Sequence, residues 1–127
     1  KGAYILCLTS NASASDLQFS KKGKDALYEY VAKLSVELNT RNNIGLVVGA
    51  TNPTQMESLR NISSGLSWLI PGIGAQGGDL ATSISIGNKN GVGIVNVSRG
   101  ILYAGNGSLD AIVESAQNYT NQIRKII

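Results

Sequence analysis

Apolar residues along this chain fall into two kinds of pattern. Four short runs are almost continuously apolar: Ala3–Leu8, Ile44–Val48, Leu66–Ile70 and Val92–Val97. Such runs, bounded by glycine or polar clusters, read as strands covered on both faces. Each is followed by a stretch with helical spacing. Behind the first, Leu27, Val31, Leu34 and Leu38 step by 4, 3 and 4. Behind the last, Ile112, Ala116, Tyr119, Ile123 and Ile126 step by 4, 3, 4 and 3. These intervals place side chains on one helical stripe. Start signals support the helices. Asn52 is placed to cap the second, with Pro53 in its first turn and Gln55 at the capping-box position. Asp79 is placed to cap a third helix through Leu80 and Ile84 that ends near Gly87. Ser108 is placed to cap the fourth, with Asp110 in its first turn. The order βαβαβαβα predicts an α/β fold with a parallel sheet and right-handed crossovers.

Composition narrows the chemistry. The 127 residues suit one domain, and 43% hydrophobic with 15% charged residues gives material for a core. Lys+Arg number 11 against 8 Asp+Glu, a net charge of +3, too mild for a dedicated nucleic-acid binder. The Lys21-Lys22-Gly23-Lys24 cluster reads as a solvated loop. There is no histidine, which excludes Ser-His-Asp triads, Cys-His dyads and His-liganded zinc. The lone Cys7 forms no internal disulfide and reads as a small buried hydrophobe, in keeping with a cytoplasmic protein. No run reads as a secretory signal or a membrane span, since glycines and Pro71 break the longest uncharged stretch. The acids show no metal-ligand spacing, so neither a metal nor another cofactor is expected.

In a parallel α/β fold, ligands bind where strands end and helices begin. The third such loop, Pro71-Gly72-Ile73-Gly74-Ala75-Gln76-Gly77-Gly78-Asp79, carries four glycines in nine residues. Glycine lets backbone approach an anion closely. The fourth loop, Ser98-Arg99-Gly100, sets an arginine directly behind an apolar strand, where it can hold a phosphate through two nitrogens. Gly72, Gly74 and Gly77 also spell GxGxxG, which admits an NADP-binding module with Arg99 on the ribose phosphate. Against that, no acid lies between Leu80 and Leu109 to take a ribose hydroxyl. A glycine-rich loop next to an arginine loop is the arrangement of the phosphate site after strands 7 and 8 of a (β/α)8 barrel. A third reading is a half-barrel that binds phosphate without catalysis.

Four motifs in order, Leu8-Thr9-Ser10-Asn11, Val47-Val48-Gly49-Ala50-Thr51 with Pro53, Pro71 through Asp79, and Ser98-Arg99-Gly100-Ile101 with Tyr103-Ala104, resemble the orotidine 5′-phosphate decarboxylase family, specifically its longer-chain bacterial branch. The resemblance spans all of residues 1–127 and implies four βα units, strands five to eight of a (β/α)8 TIM barrel, incomplete by themselves. It implies a carboxy-lyase converting orotidine 5′-phosphate to UMP and carbon dioxide in pyrimidine synthesis. On that pattern Thr9 and Ser10 face the pyrimidine. Pro71 and Ile73 belong to a closing loop, and Gln76 reaches from it to the phosphate and pyrimidine side. Arg99 and the backbone around Ser98 hold the phosphate.

Two departures stand out. Ala12 occupies the place where the family continues Thr-Ser-Asn with proline. The family's catalytic Asp-x-Lys-x-x-Asp array is absent, and Lys24-Asp25 does not supply it. The catalytic residues are therefore none in this chain, which is expected to be inactive alone. A (β/α)8 barrel needs about 250 residues, so an amino-terminal half of the same enzyme is the expected partner. The methionine-free start suggests nicking of a longer product, and the family pattern implies a homodimer of full barrels.

Overall fold

The computed structural model describes Lys1–Ile127 and contains a four-stranded parallel sheet. Its strands are β1 (Ala3–Leu8), β4 (Ile44–Val48), β5 (Ser67–Pro71) and β6 (Gly93–Asn96), and they pair in that order. Between them lie α1 (Ala14–Leu17), a hairpin of β2 (Lys21–Lys22) and β3 (Asp25–Ala26), α2 (Leu27–Leu38), α3 (Pro53–Ile62) and α4 (Leu80–Asn88). After β6 come α5 (Arg99–Leu102), a 3-10 turn at Ala104–Gly107 and α6 (Leu109–Arg124). Strand order follows chain order without reversal. Because βα crossovers are right-handed, each long helix falls on the same face of the sheet. That is the singly wound geometry of a barrel segment, and it has no topological switch point.

Register sorts the strand residues onto two faces. Leu46, Val48, Trp68 and Ile70 point toward the helices and are fully buried with Met56, Leu59 and Ile84. On the opposite face, Leu6, Val47, Leu69 and Ile94 align across all four strands in one row. Leu6 is 62% and Ile94 46% exposed at the ends of that row. The expectation that every strand is covered on both faces therefore fails for β1 and β6. Each has only one neighbouring strand, and nothing packs on the face away from the helices.

Other local expectations are corrected by geometry. The lysine cluster is solvated as expected, with Lys21 to Lys24 all exposed, but it is shaped as a hairpin: Lys22 pairs with Asp25 around a turn at Gly23, whose φ is +66°. Lys22 Nζ lies 3.7 Å from the centroid of the Tyr30 ring, and Lys33 bonds Asp25 at 2.6 Å. Asn52 precedes Pro53 but does not cap α3, because its amide turns back to Thr51 Oγ1 at 3.2 Å. Gln55 accordingly has no capping-box partner. Asp79 and Ser108 do cap their helices, accepting from Thr82 N (2.8 Å) and Ala111 N (3.4 Å). Glu29 supplies an unforeseen contact at the start of α2, accepting from Ala26 N at 2.8 Å.

Candidate functional site

The carboxyl ends of β5 and β6 open into a cavity of about 150 Å³. Its wall comes from Pro71, Gly72, Ile73, Ala75 and Gln76 on one side and from Asn96, Ser98 and Arg99 on the other. Pro71 pairs directly with Asn96 in the sheet, so the two loops leave the barrel end side by side. The sheet thereby assembles five of the residues singled out in sequence: Pro71, Ile73, Gln76, Ser98 and Arg99.

The glycine loop is a compact, self-bonded turn. Gly78 N donates to Gly72 O at 3.0 Å, Gly77 N to Gly74 O at 2.8 Å, and Ile73 bridges Gly78. Ile73 is buried, 5% exposed, and pins the base of the loop to the core, while Gln76 at the crest is exposed. Gly72 has a φ of +99°, and a side chain there would strike both Ser10 Oγ and Gln76 Oε1. The same bare backbone brings Ser10 and Gln76 to one point.

Thr9 and Ser10 stand behind the cavity rather than in its wall. Ser10 Oγ donates to Pro71 O at 3.4 Å, which joins the first loop to the third. Thr9 is clasped twice by Gln18, a residue that sequence reasoning passed over. Thr9 N donates to Gln18 Oε1 at 2.9 Å, and Gln18 Nε2 donates to Thr9 Oγ1 at 2.8 Å. Asn96 was also missed, although a lone polar residue inside an apolar run was its available signal. It accepts from Ser98 Oγ at 3.4 Å.

Arg99 is exposed and free of carboxylates. The ion pairs of this chain are Lys33–Asp25 and Lys89–Glu57, so the guanidinium is not consumed in a surface salt bridge. Asp79, closing the glycine loop, is committed to α4. Hydrogen bonds from the Thr82 side chain and then its backbone hold the Asp79 carboxyl below the usual carboxylate range.

That cap removes the dinucleotide reading of Gly72, Gly74 and Gly77. A dinucleotide pyrophosphate sits on the amino terminus of the helix that follows its glycines. Here a carboxylate occupies that terminus, and the strand order lacks the reversal where such cofactors bind.

A model of the Orotidine 5'-phosphate decarboxylase / HUMPS family matches residues 1–114. The orotidine 5′-phosphate decarboxylase of Natronomonas pharaonis is 51% identical over 111 residues, covering 87% of this chain and 41% of that protein. That of Dehalococcoides mccartyi is 47% identical, covering 100% of this chain and 48% of the relative. Among solved structures, Leishmania donovani OMP decarboxylase superposes with a TM-score of 0.86 at 34% identity, over 99% of this chain and 48% of that one. The chain thus spans less than half the length of these relatives.

Proposed function

Because the chain belongs to the orotidine 5′-phosphate decarboxylase / HUMPS family, we propose that it forms the ligand-binding, carboxyl-terminal half of a (β/α)8 decarboxylase that converts orotidine 5′-phosphate to UMP. The observation that carries this reading is the cavity between the β5 and β6 loops, with an unpaired Arg99 on one wall and Gln76 on the other. Arg99 binds the phosphate through two nitrogens, aided by the backbone N–H groups of Arg99 and Gly100, since those of Ile101 and Leu102 are taken by Ser98 O. Gln76 closes over the phosphate from the glycine loop. Thr9 and Ser10, fixed by Gln18 and Pro71, face the pyrimidine from the third side.

Division of labour follows. This half holds the phosphate, far from the carbon that loses carbon dioxide, and its binding energy drives closure and positions the ring. The proton donor and its flanking carboxylates come from the amino-terminal half, whose strands cover the row Leu6, Val47, Leu69 and Ile94. The whole is a soluble cytoplasmic enzyme, a homodimer of full barrels. No helix of this chain is long and apolar enough to cross a membrane.

The test is decarboxylation of orotidine 5′-phosphate by this chain with and without an amino-terminal half. Turnover only by the completed barrel, with Arg99→Ala weakening UMP binding about a hundredfold, is the expected result. Turnover by the 127-residue chain alone would overturn the division of labour. Unchanged UMP affinity in Arg99→Ala would overturn the phosphate site.

A further inference from the structure

The glycine loop and the Arg99 turn belong to different βα units, yet both rest on one side chain from a third element. Tyr119, half-buried on α6, packs against the core. Its hydroxyl oxygen lies 2.9 Å from where a Cβ on Gly74 would stand and 2.8 Å from where one on Gly100 would stand. One turn earlier on the same face of α6, Ser115 Oγ donates to Gly100 O at 2.9 Å. So α6 touches the backbone on both sides of the cavity.

The two glycines meet Tyr119 for different reasons. Gly74 has a φ of +72°, a left-handed conformation that favours glycine whatever its surroundings. Gly100 has no such backbone demand and sits in a short helix, where alanine has the better intrinsic propensity. The Tyr119 hydroxyl is the closest atom to a Cβ at Gly100. The next neighbours are Val97 Cγ1 at 3.3 Å and Tyr119 Cε2 at 3.5 Å, distances that small adjustments accommodate.

We propose that Tyr119 is a positioning residue for the anion site. Its side chain is a spacer: the ring, packed on the core with its hydroxyl end against Gly74 and Gly100, fixes the separation of the loop carrying Gln76 from the turn carrying Arg99, while Ser115 tethers that turn. The inference rests on the phosphate-binding reading of the cavity. Gln76 and Arg99 are exposed, so their alignment on a shared ligand depends on where the two backbones are held. Displacements of about 1 Å in such groups are enough to cost affinity or rate.

The test compares Gly100→Ala, Tyr119→Phe and the double variant in the complete barrel, reading UMP affinity by calorimetry and kcat and KM for orotidine 5′-phosphate. Gly100→Ala is expected to weaken UMP binding and raise KM about tenfold, with kcat at saturation little changed. Tyr119→Phe removes only the hydroxyl and is expected to stay within about threefold of the parent. In the double variant the new methyl takes the vacated space, and affinity returns to that of Tyr119→Phe alone. Gly74→Ala is not rescued by Tyr119→Phe, because its strain lies in φ. Parent-like binding by Gly100→Ala, or a defect that persists in the double variant, overturns the proposal. Should Gly100→Ala fail to fold, Tyr119→Leu carries the test: a raised KM at unchanged kcat supports the spacer, and an unchanged KM overturns it. Arg99→Ala, run alongside, separates the two ideas, since parent-like affinity there removes the phosphate site itself.

Discussion

Arg60 Cζ lies 3.8 Å from the centroid of the Trp68 ring, and both side chains are buried, 1% and 0% exposed. No carboxylate pairs with this guanidinium. It donates instead to Leu66 O at 2.8 Å and to Gly87 O, joining α3 to the start of β5 and the end of α4. Burial pushes its pKa down to about 10, still charged at neutral pH. A buried arginine of this kind is held by ring and carbonyls together. Arg60→Met keeps much of the volume but leaves both carbonyls without donors. We expect a loss of about 2–4 kcal/mol in denaturant unfolding of the complete protein. An unchanged midpoint would mean that the carbonyls find other partners.

Gln18 should matter to the ligand without touching it. Gln18→Ala frees the Thr9 backbone N–H and hydroxyl together, whereas Gln18→Glu keeps an acceptor for the N–H and loses the donor to Oγ1. In the completed barrel, on the proposed activity, we expect KM for orotidine 5′-phosphate to rise about tenfold in the alanine variant and less in the glutamate variant. Equal KM in all three proteins would show that the first loop keeps its shape without this clasp.

Asp79 links the glycine loop to the amino terminus of α4, and its contribution depends on pH. Its carboxyl is held below its ordinary value of 3.8 by Thr82, so the folded state binds the proton less readily than the unfolded one. The stabilisation is complete above the unfolded value and is lost as pH falls through the folded one. Thermal unfolding should therefore show Asp79→Ala less stable than the parent at pH 7, with the gap closing below about pH 4. A gap that stays constant into acid would mean that the carboxylate charge plays no part in the cap.

Cys7 should be silent until the fold opens. Its Sγ is buried and donates to Tyr28 O at 3.2 Å, and desolvation pushes its pKa from 9.0 up to about 12. The thiolate is the reactive form, so alkylation near pH 8 should fail in the native protein and proceed in denaturant. Peptide mapping by mass spectrometry resolves this residue from any other thiol. The same shift makes stability fall as pH rises from 9.0 toward about 12, since the unfolded chain loses this proton first. Rapid native labelling would show that β1 opens locally.

The gathering of the loops at one end of the sheet was legible in the sequence. Thr9-Ser10, Pro71 through Asp79 and Ser98-Arg99 each follow an apolar run, and a parallel sheet carries all strand ends to one side. Which of them share a wall was not legible. Pro71 and Asn96 are adjacent because β5 and β6 pair in that register, and Ser10 meets Pro71 across 61 positions of chain. Gln18 and Tyr119 carried no signal, for one is a polar residue near a short helix and the other fits the apolar stripe of α6.

By itself, then, the sequence determined what acts within a turn or a strand. That includes the four apolar runs, the stripe of α6, the caps at Asp79 and Ser108, and the order that makes the sheet parallel. These depend on backbone sterics and on hydrogen bonds a few residues long. The expected stripe of α2 fails, because that helix buries Tyr28, Ala32 and Ser35 and leaves Leu34 and Leu38 exposed. Tertiary structure alone decided the exposure of Leu6 and Ile94 on the face without helices. It also decided the burial of Arg60 on Trp68 and the meeting of Gly74, Gly100 and Tyr119. Each of those follows from register and handed crossovers, which bring distant backbone together at separations that no local pattern of apolar and polar residues encodes.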